Sequence, residues 1–197
     1  LNKKIQKKID EQFEKSQKKI DAGKKKVESG KSSISQGSEQ LNSAINQTMD
    51  QQKKLYKTEQ DLKKQLAELK KQKASLEQIQ TGIQTFMKSD AYTGIVTVLK
   101  DNPQLAESSE MQAQIKQVNA VVKKQFSALS SLGITVNTYE DLPAASAEVG
   151  KLLTKVNTGR KTIERAQQKV ESGKVSLASA LDTLNANASM TALQVSD

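Results

Sequence analysis

Glu140 and Asp141 stand side by side in the sequence, and a pair of carboxylates held at different pKa values is common material for general acid–base catalysis. Their neighbourhood suggests a simpler role. They sit just ahead of Leu142 and Pro143, where acidic side chains cap the free N–H groups of a starting helix. Serines are plentiful, yet a serine nucleophile here would need a lysine base in a closed pocket, which a pair of helices does not enclose. The chain has no His, so no imidazole can act as general base, triad member or metal ligand. It has no Cys, which removes thiol nucleophiles, disulfides and the usual zinc and iron–sulfur ligands. No phosphate-binding loop or acidic metal cluster is written in the sequence. The expectation is a chain that is not an enzyme and carries no cofactor or metal.

Glycine is the other residue type with unusual spacing. Gly23, Gly30 and Gly37 fall seven apart, and each costs a helix interior about 1 kcal/mol relative to Ala. They belong to a heptad. Phe13, Ile20, Val27, Ile34, Leu41, Thr48, Leu55, Leu62, Leu69, Leu76 and Ile83 form one row, polar only at Thr48. Three residues after each comes a second row: Ser16, the three glycines and Ala44, then Gln51, Thr58, Gln65 and Gln72, closing on Ile79 and Phe86. A heptad sustained this long predicts a coiled-coil helix over residues 1–88, with no Pro before Pro103 to break it.

The last third repeats the device. Val149, Val156, Ile163, Val170, Leu177 and Leu184 form an apolar row, and Leu152, Gly159, Ala166, Gly173 and Ala180 a smaller one. The hexapeptide KVESGK occurs at Lys26–Lys31 and again at Lys169–Lys174. Residues 143–197 therefore read as a second coiled-coil helix.

Between the two arms the pattern changes. Residues 89–94 interrupt the heptad, Ile95–Leu99 is a short apolar run, and Asp101-Asn102-Pro103 signals a turn and a helix start. A helix near 104–132 carries Leu105, Met111, Ile115, Val118, Val122, Phe126, Leu129 and Leu132, and Gly133 ends it. Ile134–Tyr139 reads as a short extended piece. The fold class expected is all-α: a long antiparallel coiled-coil hairpin with interruptions near residues 89–103 and 133–143. Folding at the midpoint sets 104–132 against roughly 60–88 and 145–185 against roughly 10–50, so that Gly23, Gly30, Gly37 and Ala44 face Gly159, Ala166, Gly173 and Ala180, small against small. A rival arrangement gathers residues 89–142 into a small helical tip subdomain on a shorter stalk.

Composition agrees with thin packing. Apolar residues make up 35% and aromatic residues 3%, which leaves little for a thick core. The net charge is +9, all of it in residues 1–88, where 20 lysines outweigh 11 acidic residues. Such a surface could meet an anionic envelope polymer or lipid, although lysines also simply solvate a helix. Nucleic acid is not expected as a partner, because stacking rings and arginine forks are scarce. No stretch reaches the length of a membrane span, and the start at Leu1 reads as an excised segment of a longer protein.

The two breaks gather apolar and aromatic side chains: Tyr92, Ile95, Val96, Val98 and Leu99 at the first, Ile134, Val136 and Tyr139 at the second. They read either as a local core or as an exposed docking tip for a protein partner or transported substrate.

The stretches AGKKKVESGKSSISQGSEQLNSA (22–44) and KVESGKVSLASALDTLNANA (169–188) resemble the glycine-bearing repeats in extracellular coiled coils of Gram-positive membrane proteins. Two families share such repeats: the FtsX/MacB-type ABC-transporter permeases, with a helical insertion between membrane spans, and the YhgE/Pip phage-infection-protein group. The resemblance covers about 45 residues of the two arms and none of residues 89–142. The permease resemblance implies a non-catalytic extracellular stalk at the cell membrane, flanked by transmembrane helices of the same chain, with a partner or substrate at its tip. A cytosolic coiled-coil scaffold is the competing expectation.

Overall fold

The computed structural model describes residues 2–196, with side chains through residue 194. It is an all-α helical hairpin: α1 (Asn2–Met87), α2 (Asp90–Asp101), α3 (Ser109–Gln125) and α4 (Leu142–Ser196), joined by short 3-10 turns at Pro103–Glu107, Ser127–Leu132 and Tyr139–Asp141. No strand occurs among the described residues. The chain divides into two compact units, Leu1–Glu59 with Lys169–Asp197, and Gln60–Gln168.

In the first unit the two long helices run antiparallel with a thin seam. Val170 and Thr48 are its buried side chains. Thr48 is tolerated there because its Oγ1 donates to the Ala44 carbonyl at 2.9 Å, which satisfies the hydroxyl inside its own helix. Leu55 packs against Gly173, and Lys174 Nζ lies 2.7 Å from Glu59 Oε2 beside that contact. Every residue from Asn2 to Ser33 is exposed.

The second unit holds the main core. Ile83, Ile95, Val122, Leu129, Leu142 and Val149 are fully buried, each contributing about 1.5–3 kcal/mol through removal of apolar surface from water. Gln80 and Ser146 tie α1 to α4 by a reciprocal pair: Gln80 Nε2 donates to the Ser146 carbonyl at 3.0 Å, and Ser146 Oγ donates to Gln80 Oε1 at 3.2 Å. Four rings link the elements edge to face, Phe126 to Phe86 at 6.0 Å, Phe86 to Tyr92 at 6.3 Å and Tyr92 to Tyr139 at 6.2 Å between centroids.

Local signals set the breaks. Ser89 accepts the Tyr92 N–H at its Oγ, and Asp90 opens the first turn, so residues 90–101 form a helix where an interruption was expected. Asn102 and Pro103 end it. Ser108 Oγ then accepts the Met111 N–H at 3.2 Å and starts α3. The single helix expected near 104–132 is thus α3 flanked by two 3-10 turns. Gly133 closes the last turn at φ +76°, a left-handed conformation that glycine adopts without a Cβ penalty. Residues 134–137 carry no regular element, although Ile134 and Val136 are buried.

The register differs from the one expected. Gly159 faces Leu69 and Gly173 faces Leu55, two heptads apart on each helix, so 145–185 does not lie along 10–50. The segment between α1 and α4 folds on itself and advances little along α1, which lets α4 begin opposite Gln80. Small does not face small either. Large side chains fill the glycine notches, because facing small rows would leave voids that a close-packed seam does not tolerate.

Candidate interaction surfaces

Tyr92, Ile95, Ile134, Val136 and Tyr139 are buried, and Val96, Val98 and Leu99 pack half-buried against them. Five of the eight belong to the core of the second unit and three pack against it, so they do not stand out as an exposed tip. The sequence brought them together correctly but left their role open. Phe126, one of the apolar residues of the expected helix 104–132, joins the same aromatic chain.

Of the acidic pair, Asp141 caps. Asp141 Oδ2 accepts the backbone N–H groups of Asn137 at 2.9 Å and Thr138 at 3.0 Å. These bonds favour the anion and hold the Asp141 carboxyl below its usual range. Glu140 Oε1 instead accepts the Tyr139 hydroxyl at 3.1 Å. Burial, and then that bond, push the Tyr139 phenol up. A long-range bond fixes the turn: the Tyr139 N–H donates to Asn119 Oδ1 of α3 at 2.9 Å. Among the described residues no group of three or more His, Cys, Asp or Glu side chains converges to hold a metal.

Open surface lies elsewhere. In the second unit a groove of about 490 Å³ is lined by Leu69, Gln72, Ser75 and Leu76 of α1, Leu152, Lys155 and Val156 of α4, and Leu132 of the 3-10 turn Ser127–Leu132. A second hollow, of about 620 Å³, lies between α2 and α3 at Ala91, Gly94, Ile95, Val98, Met111 and Val118. The groove is lined mainly by apolar side chains, whereas Asp90, Gln114 and Gln117 make the hollow between α2 and α3 partly polar. Nothing in the heptad pattern announces the groove, since it depends on where the 3-10 turn Ser127–Leu132 lies beside α1 and α4.

The small rows split into occupied and open positions. Gly159 and Gly173 hold leucines, and Ala166 and Ala44 are half-buried. Gly23, Gly30 and Gly37 have nothing within 4 Å of where a Cβ would stand, and Ala180 is exposed.

Fold and surface together define an all-α helical hairpin with an open, mainly apolar groove in its second unit. No protein-family model, curated protein or solved structure matches the chain.

Proposed function

We propose that this chain is a non-catalytic extracellular stalk of a membrane protein, of the permease type that its glycine heptads resemble, and that it binds a partner or substrate. The observation carrying this reading is that the N-terminal and C-terminal stretches of the hairpin share one two-helix unit. A polypeptide inserted between two membrane spans must leave and return at one end. No helix among the described residues is long and apolar enough to cross a membrane, so in this reading the spans belong to the rest of the polypeptide. The apolar groove at Leu69, Leu132 and Val156 offers the partner a surface, in place of the buried residues at the breaks.

These 197 residues contain no Cys, so labelling of an introduced Cys is read against the unsubstituted full-length protein. Ser131→Cys at an exposed position is introduced into the full-length protein in its native cells. Intact cells are then treated with a membrane-impermeant maleimide. Labelling from outside, in the membrane fraction, is the expected result. Labelling only after lysis, or recovery in the soluble fraction, overturns the stalk in favour of an internal scaffold.

A further inference from the structure

Gly94 stands inside α2, where a glycine weakens a helix relative to Ala. Every other glycine from Gly82 onward touches a neighbour or turns left-handed. Gly159 and Gly173 take leucines, Gly82 and Gly150 lie against Phe126 and Gln80, and Gly133 has a positive φ. Gly94 has neither a positive φ nor any atom within 4 Å of where a Cβ would stand. It opens instead onto the hollow between α2 and α3, and a residue without a Cβ lets another molecule come close to the backbone. Both helices are internal to the chain, with α1 before them and α4 after.

We infer that this hollow is a docking site for a helix of a partner protein that sets a leucine on Gly94 and a lysine or arginine beside Asp90. Spacing points to a helix. Ala91, Gly94 and Val98 of α2, and Met111, Gln114 and Val118 of α3, line the hollow at three- and four-residue steps, the pattern that a helix pair presents to a third helix. The notch points to a leucine, because the molecule fills its own helical notches that way. A Cβ on Gly159 would meet Leu69 Cδ1 at 3.4 Å, and one on Gly173 would meet Leu55 Cδ1 at 3.1 Å.

Charge selects the rest. Among the described residues lining the hollow, Asp90 alone is charged. It is exposed, one helical turn before Gly94, and no ion pair engages it among the described residues. A cation one turn from the docked leucine meets that carboxylate. The exposed amides of Gln114 and Gln117 can hydrogen-bond the polar flank of the same helix. This surface is distinct from the groove at Leu69 and Leu132, and the inference does not depend on the membrane location proposed above.

The probe is a synthetic Ala-rich helical peptide with one central Leu and a Lys four residues before and after it, so that either direction of docking brings a cation beside Asp90. Its binding to the full-length protein is followed by fluorescence anisotropy. Saturable binding is expected. Gly94→Leu puts a better helix former on an open face, so circular dichroism should be unchanged. By filling the notch it is expected to weaken binding about tenfold or more. Asp90→Asn is expected to weaken binding on the order of threefold, and to leave unchanged the binding of a peptide carrying Gln in place of both Lys. Absence of binding, or binding indifferent to either substitution, overturns the proposal. Sedimentation showing self-association that Gly94→Leu abolishes would overturn it in favour of a second copy as the occupant.

Discussion

Leu55 lies in the notch that Gly173 leaves in α4: a Cβ placed on Gly173 would meet Leu55 Cδ1 at 3.1 Å. Glycine there makes room for Leu55, whereas Gly30, in an identical hexapeptide, meets nothing. One substitution at the two sites therefore gives two outcomes.

Gly30→Ala is expected to stabilise the surrounding helix by about 1 kcal/mol, the difference in helix propensity. Amide exchange near residue 30 then slows about fivefold. Gly173→Ala has the same propensity gain, but Leu55 must shift by a few tenths of an ångström to admit the methyl. Its net gain should fall well below that at Gly30, and Gly173→Leu should cost about 1–3 kcal/mol by overpacking. Equal gains for both alanine variants would mean that Leu55 does not occupy the notch.

The register depends on Gln80 and Ser146. Gln80→Ala removes both reciprocal hydrogen bonds and is expected to cost about 1–3 kcal/mol in urea unfolding. Ser146→Ala removes only the Oγ bond and should cost less. A double-mutant cycle is expected to show coupling of about 0.5–1 kcal/mol; strict additivity would show that the two side chains do not meet.

Ile83 is fully buried where α1 joins the core. Ile83→Ala is expected to cost about 2–5 kcal/mol, whereas Ile20→Ala, on the open seam, should lower stability by less than about 0.5 kcal/mol. Comparison of their denaturation midpoints checks the division between core and free face.

Gly133 holds φ +76° at the end of the second 3-10 turn. Gly133→Ala is expected to cost about 1–2 kcal/mol, because a Cβ crowds the carbonyl in that conformation. An unchanged midpoint would mean that the chain does not turn left-handed there.

Asp141 gives a pH dependence. Its folded-state pKa is lowered by the Asn137 and Thr138 N–H groups, so its contribution is present above the unfolded carboxylate value, about 3.9. That contribution is lost as pH falls through the lower folded value. Wild type should therefore exceed Asp141→Asn in stability at neutral pH, and the gap should close in acid below the folded pKa. A gap that stays constant with pH would show that the ionised carboxylate is not what caps the turn.

Much of this was legible beforehand. The apolar row from Phe13 to Ile83 defines α1, and the row from Val149 to Leu184 defines α4, because a seven-residue period fixes one face of a helix wherever it lies. Gly133 marked its own turn, and the acidic pair marked the start of α4. Less legible was α2: the Ser89-Asp90 start signal was masked by the broken heptad and by Gly94. The docking tip read from Tyr92 and Tyr139 was equally ambiguous, since an apolar cluster at a break has the same composition whether it faces inward or outward.

By itself, the sequence determined the helices, their seam faces and the narrowness of the packing, since these follow from local period and composition. Tertiary structure decided the register, and with it which copy of KVESGK is filled. A heptad matches its partner equally well after a slip of seven, so Gly30 and Gly173 are equivalent until something fixes the offset. In this protein the folding of α2 and α3 against the end of α1, together with the Gln80–Ser146 pair, fixes it, with Leu69 on Gly159 and Leu55 on Gly173.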